Sequence, residues 1–210
     1  MRKFDQDIRL QYGSLLAGTD EAGRGPLAGP VVAAAVMFDP SVDIPGVADS
    51  KTLKEYQREQ LFAEICEKCV SYSITVTGVE VIEKINILAS SLSAMKISSE
   101  KIIPFPAVVL VDGNRGFQFP GKVVPVIKGD SKSMSIAAAS ILAKVTRDRI
   151  MLSMHELYPV YGWDHNKGYP TKAHFKAIRE NGITVFHRKS FLKKFFTMQG
   201  ELDFGVPDAE

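Results

Sequence analysis

Cysteine is scarce. The 210-residue chain has two, Cys66 and Cys69, so a disulfide scaffold cannot be what holds the fold together. Their C-x-x-C spacing invites zinc or redox chemistry. Zinc would need a second ligand pair, and none follows. A redox pair would sit at a helix N-terminus, whereas these two fall near the end of a helix expected over about Leu53–Cys69. They are read as reduced thiols. The chain also lacks any run of about 18 apolar residues, so no membrane-spanning helix is expected. Met1–Asp7 is charged and has no signal-peptide core, and the expectation is a cytoplasmic protein. No internal repeat and no low-complexity linker interrupts the sequence.

Hydrophobic residues make up 45% of the chain, enough for one large domain with a real core. The net charge of +2 hides an asymmetry. Residues 1–105 carry 11 basic and 14 acidic side chains, and residues 106–210 carry 15 and 10. Within 165–198, eight Lys or Arg face a single acid, Glu180. A stretch of that kind can track a phosphate backbone, or it can be a solvated face.

Apolar patterning places strands over Leu15–Asp20 and Gly29–Phe38, joined by a turn that suggests an antiparallel pair. A helix over Leu53–Cys69, a strand over Val70–Val79 and two helical segments from about Glu80 to Ile102 follow. Ala107–Val111 and Val123–Ile127 read as short strands buried on both faces. Ser131 to about His155 reads as a long helix, with two or three shorter helices beyond. Strands interleaved with helices indicate an α/β fold, a mixed sheet covered by helices. The ten or so residues between Asp112 and Val123 are short for a parallel crossover containing a helix. That link must be a bare loop, or the boundaries must shift.

Three strand-like runs end in acid. Leu15–Thr19 leads into Asp20-Glu21, Ala107–Val111 into Asp112, and Val123–Ile127 into Lys128-Gly129-Asp130. Carboxylates at a strand terminus are costly to desolvate unless a cation joins them. Neighbouring strand ends can bring such groups to one spot. Oxygen ligands of this number suit Mg²⁺ or Mn²⁺, and two ions about 4 Å apart would hold both reacting oxygens of a phosphodiester. Gly23-Arg24-Gly25 then offers close backbone approach and a cation. Each cluster has a plainer role open to it: Asp130 as a helix N-cap, Asp112-Gly113-Asn114 as a turn. Adjacent strand residues face opposite ways, so Asp20 and Glu21 share one ion only if the chain turns between them.

Six motifs in order resemble bacterial ribonuclease HII. They are DEAGRGPLAG at Asp20–Gly29, DSK at Asp49–Lys51, DGN at Asp112–Asn114, KGDSKSMSIAAASILAKVTRD at Lys128–Asp148, NKGYPT at Asn166–Thr171 and HRKSF at His187–Phe191. The sibling family, ribonuclease HIII, carries an N-terminal substrate-binding domain and a different turn after its acidic pair, so HII is the better match. The resemblance implies a ribonuclease H-like mixed five-stranded sheet flanked by helices, with a C-terminal helical extension. It implies cutting of RNA in RNA–DNA hybrids and at single ribonucleotides in duplex DNA, leaving a 3′-OH and a 5′-phosphate. Family metal ligands map to Asp20, Glu21, Asp112 and Asp130, for Mn²⁺ or Mg²⁺, with two ions when substrate is bound. The ribose-sensing turn maps to Gly23-Arg24-Gly25, and the aromatic that packs on the sugar at the RNA–DNA junction maps to Tyr169.

Lys51, Lys132, Lys167 and Arg188 are read as phosphate contacts, and His187 as structural or backbone-binding. The expected organisation is a catalytic region over 1–160, a basic substrate-binding extension of the same domain over 161–200, and a disordered tail over 201–210. A monomer is expected. Two rivals stand beside this reading: a non-catalytic hybrid-binding module, and a DNA-cutting, resolvase-like enzyme of the same superfold. Lys189–Phe196 also spaces Leu192 and Phe195-Phe196 like a sliding-clamp-binding peptide, although burial against the domain explains that spacing equally well.

Overall fold

A computed structural model describes residues 1–47 and 53–197, with the backbone alone for 194–197. The Asp49–Lys51 motif and the 201–210 tail lie outside the described residues. The strands are β1 (Leu16–Ala22), β2 (Val31–Met37), β3 (Ser71–Thr77), β4 (Val108–Asp112) and β5 (Lys122–Val126), in the sheet order β3-β2-β1-β4-β5. β1 is antiparallel to β2 and parallel to β4, and β4 is parallel to β5. The sheet is therefore mixed, as expected. The β4–β5 link contains no helix, which resolves the short crossover: residues 113–121 are a bare loop.

The helices are α1 (Arg2–Tyr12), α2 (Glu55–Lys68), α3 (Val79–Ile85), α4 (Ile87–Glu100), α5 (Met134–Leu157), α6 (Trp163–Asn166), α7 (Lys172–Asn181) and α8 (Lys189–Thr197). Among the described residues no helix is long and apolar enough to cross a membrane. β2 and most of β1 are buried on both faces because α4 covers one side and α5 the other. The α5 contact depends on Gly18, where a Cβ would stand 2.4 Å from the Ile136 nitrogen. A side chain there would push the helix off the sheet. Ala137, Ala138, Ala139 and Ala143 complete a close-packed seam on α5.

Several boundaries differ from expectation for physical reasons. α5 begins at Met134, and its N-cap is Ser133, whose side chain accepts from the Ile136 N–H. Asp130 is not the cap and sits in a 3-10 turn over Gly129–Ser131. β5 is not buried on both faces. It is the sheet edge, with Lys122 and Pro125 exposed, and edge placement is what tolerates a proline in a strand. α1 is absent from the elements expected above, although Phe4, Ile8 and Tyr12 recur at helical spacing and pack against the core beside β4. It docks through Asp5, which is 1% exposed and accepts from the N–H and hydroxyl of Ser135 in the first turn of α5. Cys66 and Cys69 end α2 as free thiols, and burial pushes Cys69 up to about 11, which keeps it protonated and unreactive.

Candidate active site

The last registered pair between β1 and β4 is Thr19 with Val111. One residue further along each strand stand Asp20 and Asp112, side by side at the C-terminal ends of parallel strands. Asp20 is 6% exposed and accepts from the Glu21 N–H at 2.7 Å and from the Ser140 hydroxyl on α5. Glu21, the next residue, lines one cleft with Leu88 and Ser91 of α4 and another with Ser140 and Lys144 of α5. Asp112 is half-buried, and its Oδ1 accepts from the Gly129 N–H at 2.6 Å. Asp130, buried, is the next residue of that loop.

Burial, then the charges of Glu21 and Asp112, push Asp20 well above the ordinary carboxylate range. Burial also raises Glu21, against the pull of Arg24, whose Nη1 lies 3.2 Å from Glu21 Oε1. Among the described residues no three carboxylates close around a single point. They surround the sheet end from two sides. The donors are oxygen only, and the negative charge crowded on buried Asp20 is unfavourable as it stands. Both facts fit a hard divalent cation.

The turn after β1 is held from beneath by two buried arginines. Arg188 donates to the carbonyls of Gly23 at 2.7 Å, Arg24 at 3.1 Å and Gly29 at 2.8 Å. Arg147 donates to Ala28, Pro30 and Lys167. Gly23 has φ +99°, and a Cβ there would meet Arg147 Nε at 2.2 Å, so the close approach of the guanidinium requires glycine. Gly25 lies against Tyr169: a Cβ on Gly25 would be 3.7 Å from the ring. The Leu27 N–H donates to the Gly168 carbonyl, tying the two turns together.

Glu21 and Arg24 stand between two clefts. One, of about 440 Å³, is lined by Gly23, Gly25, Arg58, Ser140, Lys144 and Tyr169. The other, of about 260 Å³, is lined by Asp112, Asn114 and Arg115 with residues of α4. One of the expected phosphate contacts is corrected by this geometry. Arg188 is fully buried and cannot meet a phosphate. Lys167 is half-buried, and its Nζ donates to the Asp164 carbonyl at 2.5 Å. Lys132 is exposed, and Lys51 lies outside the described residues. Arg58 and Lys144 line the larger cleft with Arg24, and Lys144 had a legible signal in part: Ser140, Lys144 and Asp148 form a polar stripe at helical spacing on α5. Lys144 pairs with Asp148 at 2.6 Å.

Comparison with known proteins agrees with this architecture. The ribonuclease HII family model matches residues 17–194. The chain belongs to the ribonuclease HII family. The ribonuclease HII of Marinomonas sp. is 53% identical over 184 residues, covering 87% of this chain and 92% of its own. Among solved structures, the ribonuclease H2 of Pyrococcus horikoshii superimposes with a TM-score of 0.73 at 26% identity, over 89% of this chain and 99% of that one. The ribonuclease HII of Archaeoglobus fulgidus, solved as its complex with PCNA, gives 0.70 at 26% identity, over 90% and 98%. The enzyme is thus an endoribonuclease with a ribonuclease H-like sheet, and the strand-end carboxylates lie within the matched region.

Proposed function

We propose that the enzyme cleaves the RNA strand of RNA–DNA hybrids and cuts duplex DNA on the 5′ side of a single embedded ribonucleotide. The observation that carries this reading is that Gly25 and Tyr169 face each other in one cleft with Glu21, the neighbour of Asp20. A backbone turn can reach a 2′-OH, which both donates and accepts. The aromatic face beside it suits a sugar that lacks that hydroxyl. The pair reads a step from ribose to deoxyribose, next to the carboxylates.

Asp20, Glu21, Asp112 and Asp130 would hold Mg²⁺ or Mn²⁺, which when bound supplies Lewis-acid stabilisation of charge on the phosphate and a more acidic attacking water. The chain's own residues do the positioning. Gly23-Arg24-Gly25 offers backbone groups to the ribose, and Tyr169 holds the following sugar. Arg24, Arg58 and Lys144 offset phosphate charge along the cleft. Attack of water in line with the 3′-oxygen leaves a 3′-OH and a 5′-phosphate. The enzyme acts as a monomer in this reading. A sliding-clamp contact through Lys189–Phe196 has the Archaeoglobus complex in its favour. Against it, Leu192 is 1% exposed and packed into the C-terminal core.

Three matched duplexes test the proposal: all-DNA, DNA with one ribonucleotide, and an RNA–DNA hybrid, each with and without Mg²⁺ or Mn²⁺. The expected result is metal-dependent cutting of the last two only. Binding without cutting would favour the hybrid-binding module, and cutting of all-DNA duplex the resolvase-like enzyme. Tyr169→Ala should lower single-ribonucleotide cleavage by about 10²-fold, since a misplacement near 1 Å has that cost. Wild-type rates on that duplex would leave discrimination to Gly23-Arg24-Gly25 alone.

Salt reports on the cations. Hybrid affinity should fall with a slope of about 0.9 per phosphate contacted. Arg58→Ala and Lys144→Ala should each flatten that slope by about one. Unchanged slopes in both variants would remove the larger cleft from the backbone track.

A further inference from the structure

A buried chain of hydrogen bonds ends on Tyr169. His174 and His187 are 0% and 1% exposed, and Trp163 is fully buried. His174 Nδ1 lies 3.0 Å from the Tyr169 carbonyl, while its Nε2 lies 3.0 Å from Trp163 Nε1 and 3.3 Å from His187 Nε2. His187 Nδ1 faces the Thr184 N–H at 2.9 Å.

The donors fix both tautomers. An indole nitrogen only donates, so His174 Nε2 accepts and His174 carries its proton on Nδ1. That proton points at the Tyr169 carbonyl. The Thr184 amide only donates, so His187 Nδ1 accepts and its proton is on Nε2, donated to His174. Burial lowers both histidines, His187 to about 3, so both stay neutral under ordinary assay conditions. The Tyr169 carbonyl also accepts from the Thr171 N–H at 2.9 Å. It is therefore gripped by the local turn on one side and by a side chain anchored in the C-terminal core on the other.

We infer that His174 is a positioning residue for Tyr169, setting how sharply the enzyme selects a ribose-to-deoxyribose junction through its Nδ1–H bond to the Tyr169 carbonyl. The inference rests on the junction-reading role proposed above for Tyr169. A buried donor lost from a turn costs stability anywhere. A positioning role has a further consequence, because a uniform RNA–DNA hybrid presents no such junction. Its cleavage should depend less on where the Tyr169 ring stands.

Two near-isosteric variants separate the two ends of the imidazole. His174→Asn keeps an amide donor near the Nδ1 position and loses the acceptor facing Trp163. His174→Gln keeps an acceptor near the Nε2 position and loses the donor to Tyr169. kcat/KM would be measured on the single-ribonucleotide duplex and on a uniform hybrid, with Tyr169→Ala alongside. The expected result for Gln is a loss of about tenfold or more on the single-ribonucleotide duplex against at most about threefold on the hybrid, with Asn recovering most of the ratio. A wild-type ratio in Gln would overturn the inference, as would equal ratios in Gln and Asn. If Tyr169→Ala itself leaves the ratio unchanged, the junction-reading proposal has failed. If Tyr169→Ala moves the ratio and Gln does not, only the role of His174 has failed. Nitrogen-15 shifts of the wild-type imidazoles give a check that no folding defect can obscure. Protonation of His174 at Nδ1 and of His187 at Nε2 is expected, and the opposite tautomer at His174 would overturn the assignment.

Discussion

Asp20→Asn should reduce cleavage by at least about 10²–10³-fold and, in the presence of chelator, make the protein more stable. The two effects have one origin. Asp20 is buried beside Glu21 and Asp112, and its charge is disfavoured by desolvation and by theirs. Without a cation, replacing the carboxylate by a neutral amide removes that repulsion. The amide oxygen can still accept from the Glu21 N–H that Asp20 binds now. A gain near 1 kcal/mol would appear as a rise of about 2–4 °C in Tm. With Mn²⁺ or Mg²⁺ the order should reverse, since the ion stabilises the form that keeps the charge. Cleavage rates and melting curves in chelator and in metal decide the matter. Activity above about a hundredth of wild type would rule out so central a role. A lowered Tm in chelator would instead assign the loss of activity to misfolding.

Arg188→Met should lower Tm by roughly 6–12 °C and leave the salt dependence of hybrid binding unchanged. The guanidinium serves three carbonyls of the turn after β1. Methionine fills similar space and donates nothing. Leaving buried carbonyls unpaired costs about 1–3 kcal/mol each, and about 3 kcal/mol corresponds to the stated fall. Cleavage should drop as well, by about 10²-fold, because Gly23-Arg24-Gly25 loses its support. Arg188→Lys should fall between the two, since an ammonium cannot reproduce the planar fork. A phosphate contact would behave oppositely, with Tm unchanged and the salt slope reduced by about 0.9.

That contrast shows where sequence reading stops. The strand-end acids could be found because a carboxylate closing an apolar run is unusual chemistry, and the run itself gives its place. Arg188 and Arg147 could not be placed, because nothing local distinguishes an arginine bound for a phosphate from one bound for carbonyls. All of those carbonyls except that of Lys167 belong to residues more than a hundred positions away. β5 was misjudged for a related reason. Val123, Val124 and Val126 read the same whether or not a further strand covers them, and an edge is a property of the assembled sheet. α1 was legible in the spacing of Phe4, Ile8 and Tyr12, which pack against the core; what could not be read is the pairing of Asp5 with the first turn of α5.

The way the turn after β1 is stitched has a consequence for synthesis. Its supports come from the Gly168 carbonyl, the Phe186 carbonyl and Arg188. All of these leave the ribosome long after the strands that carry Asp20 and Asp112. A chain still being translated therefore possesses its carboxylates before it possesses the turn that would read ribose beside them. Competence to cut thus arrives late in synthesis, once residues 168–188 have closed over the turn after β1.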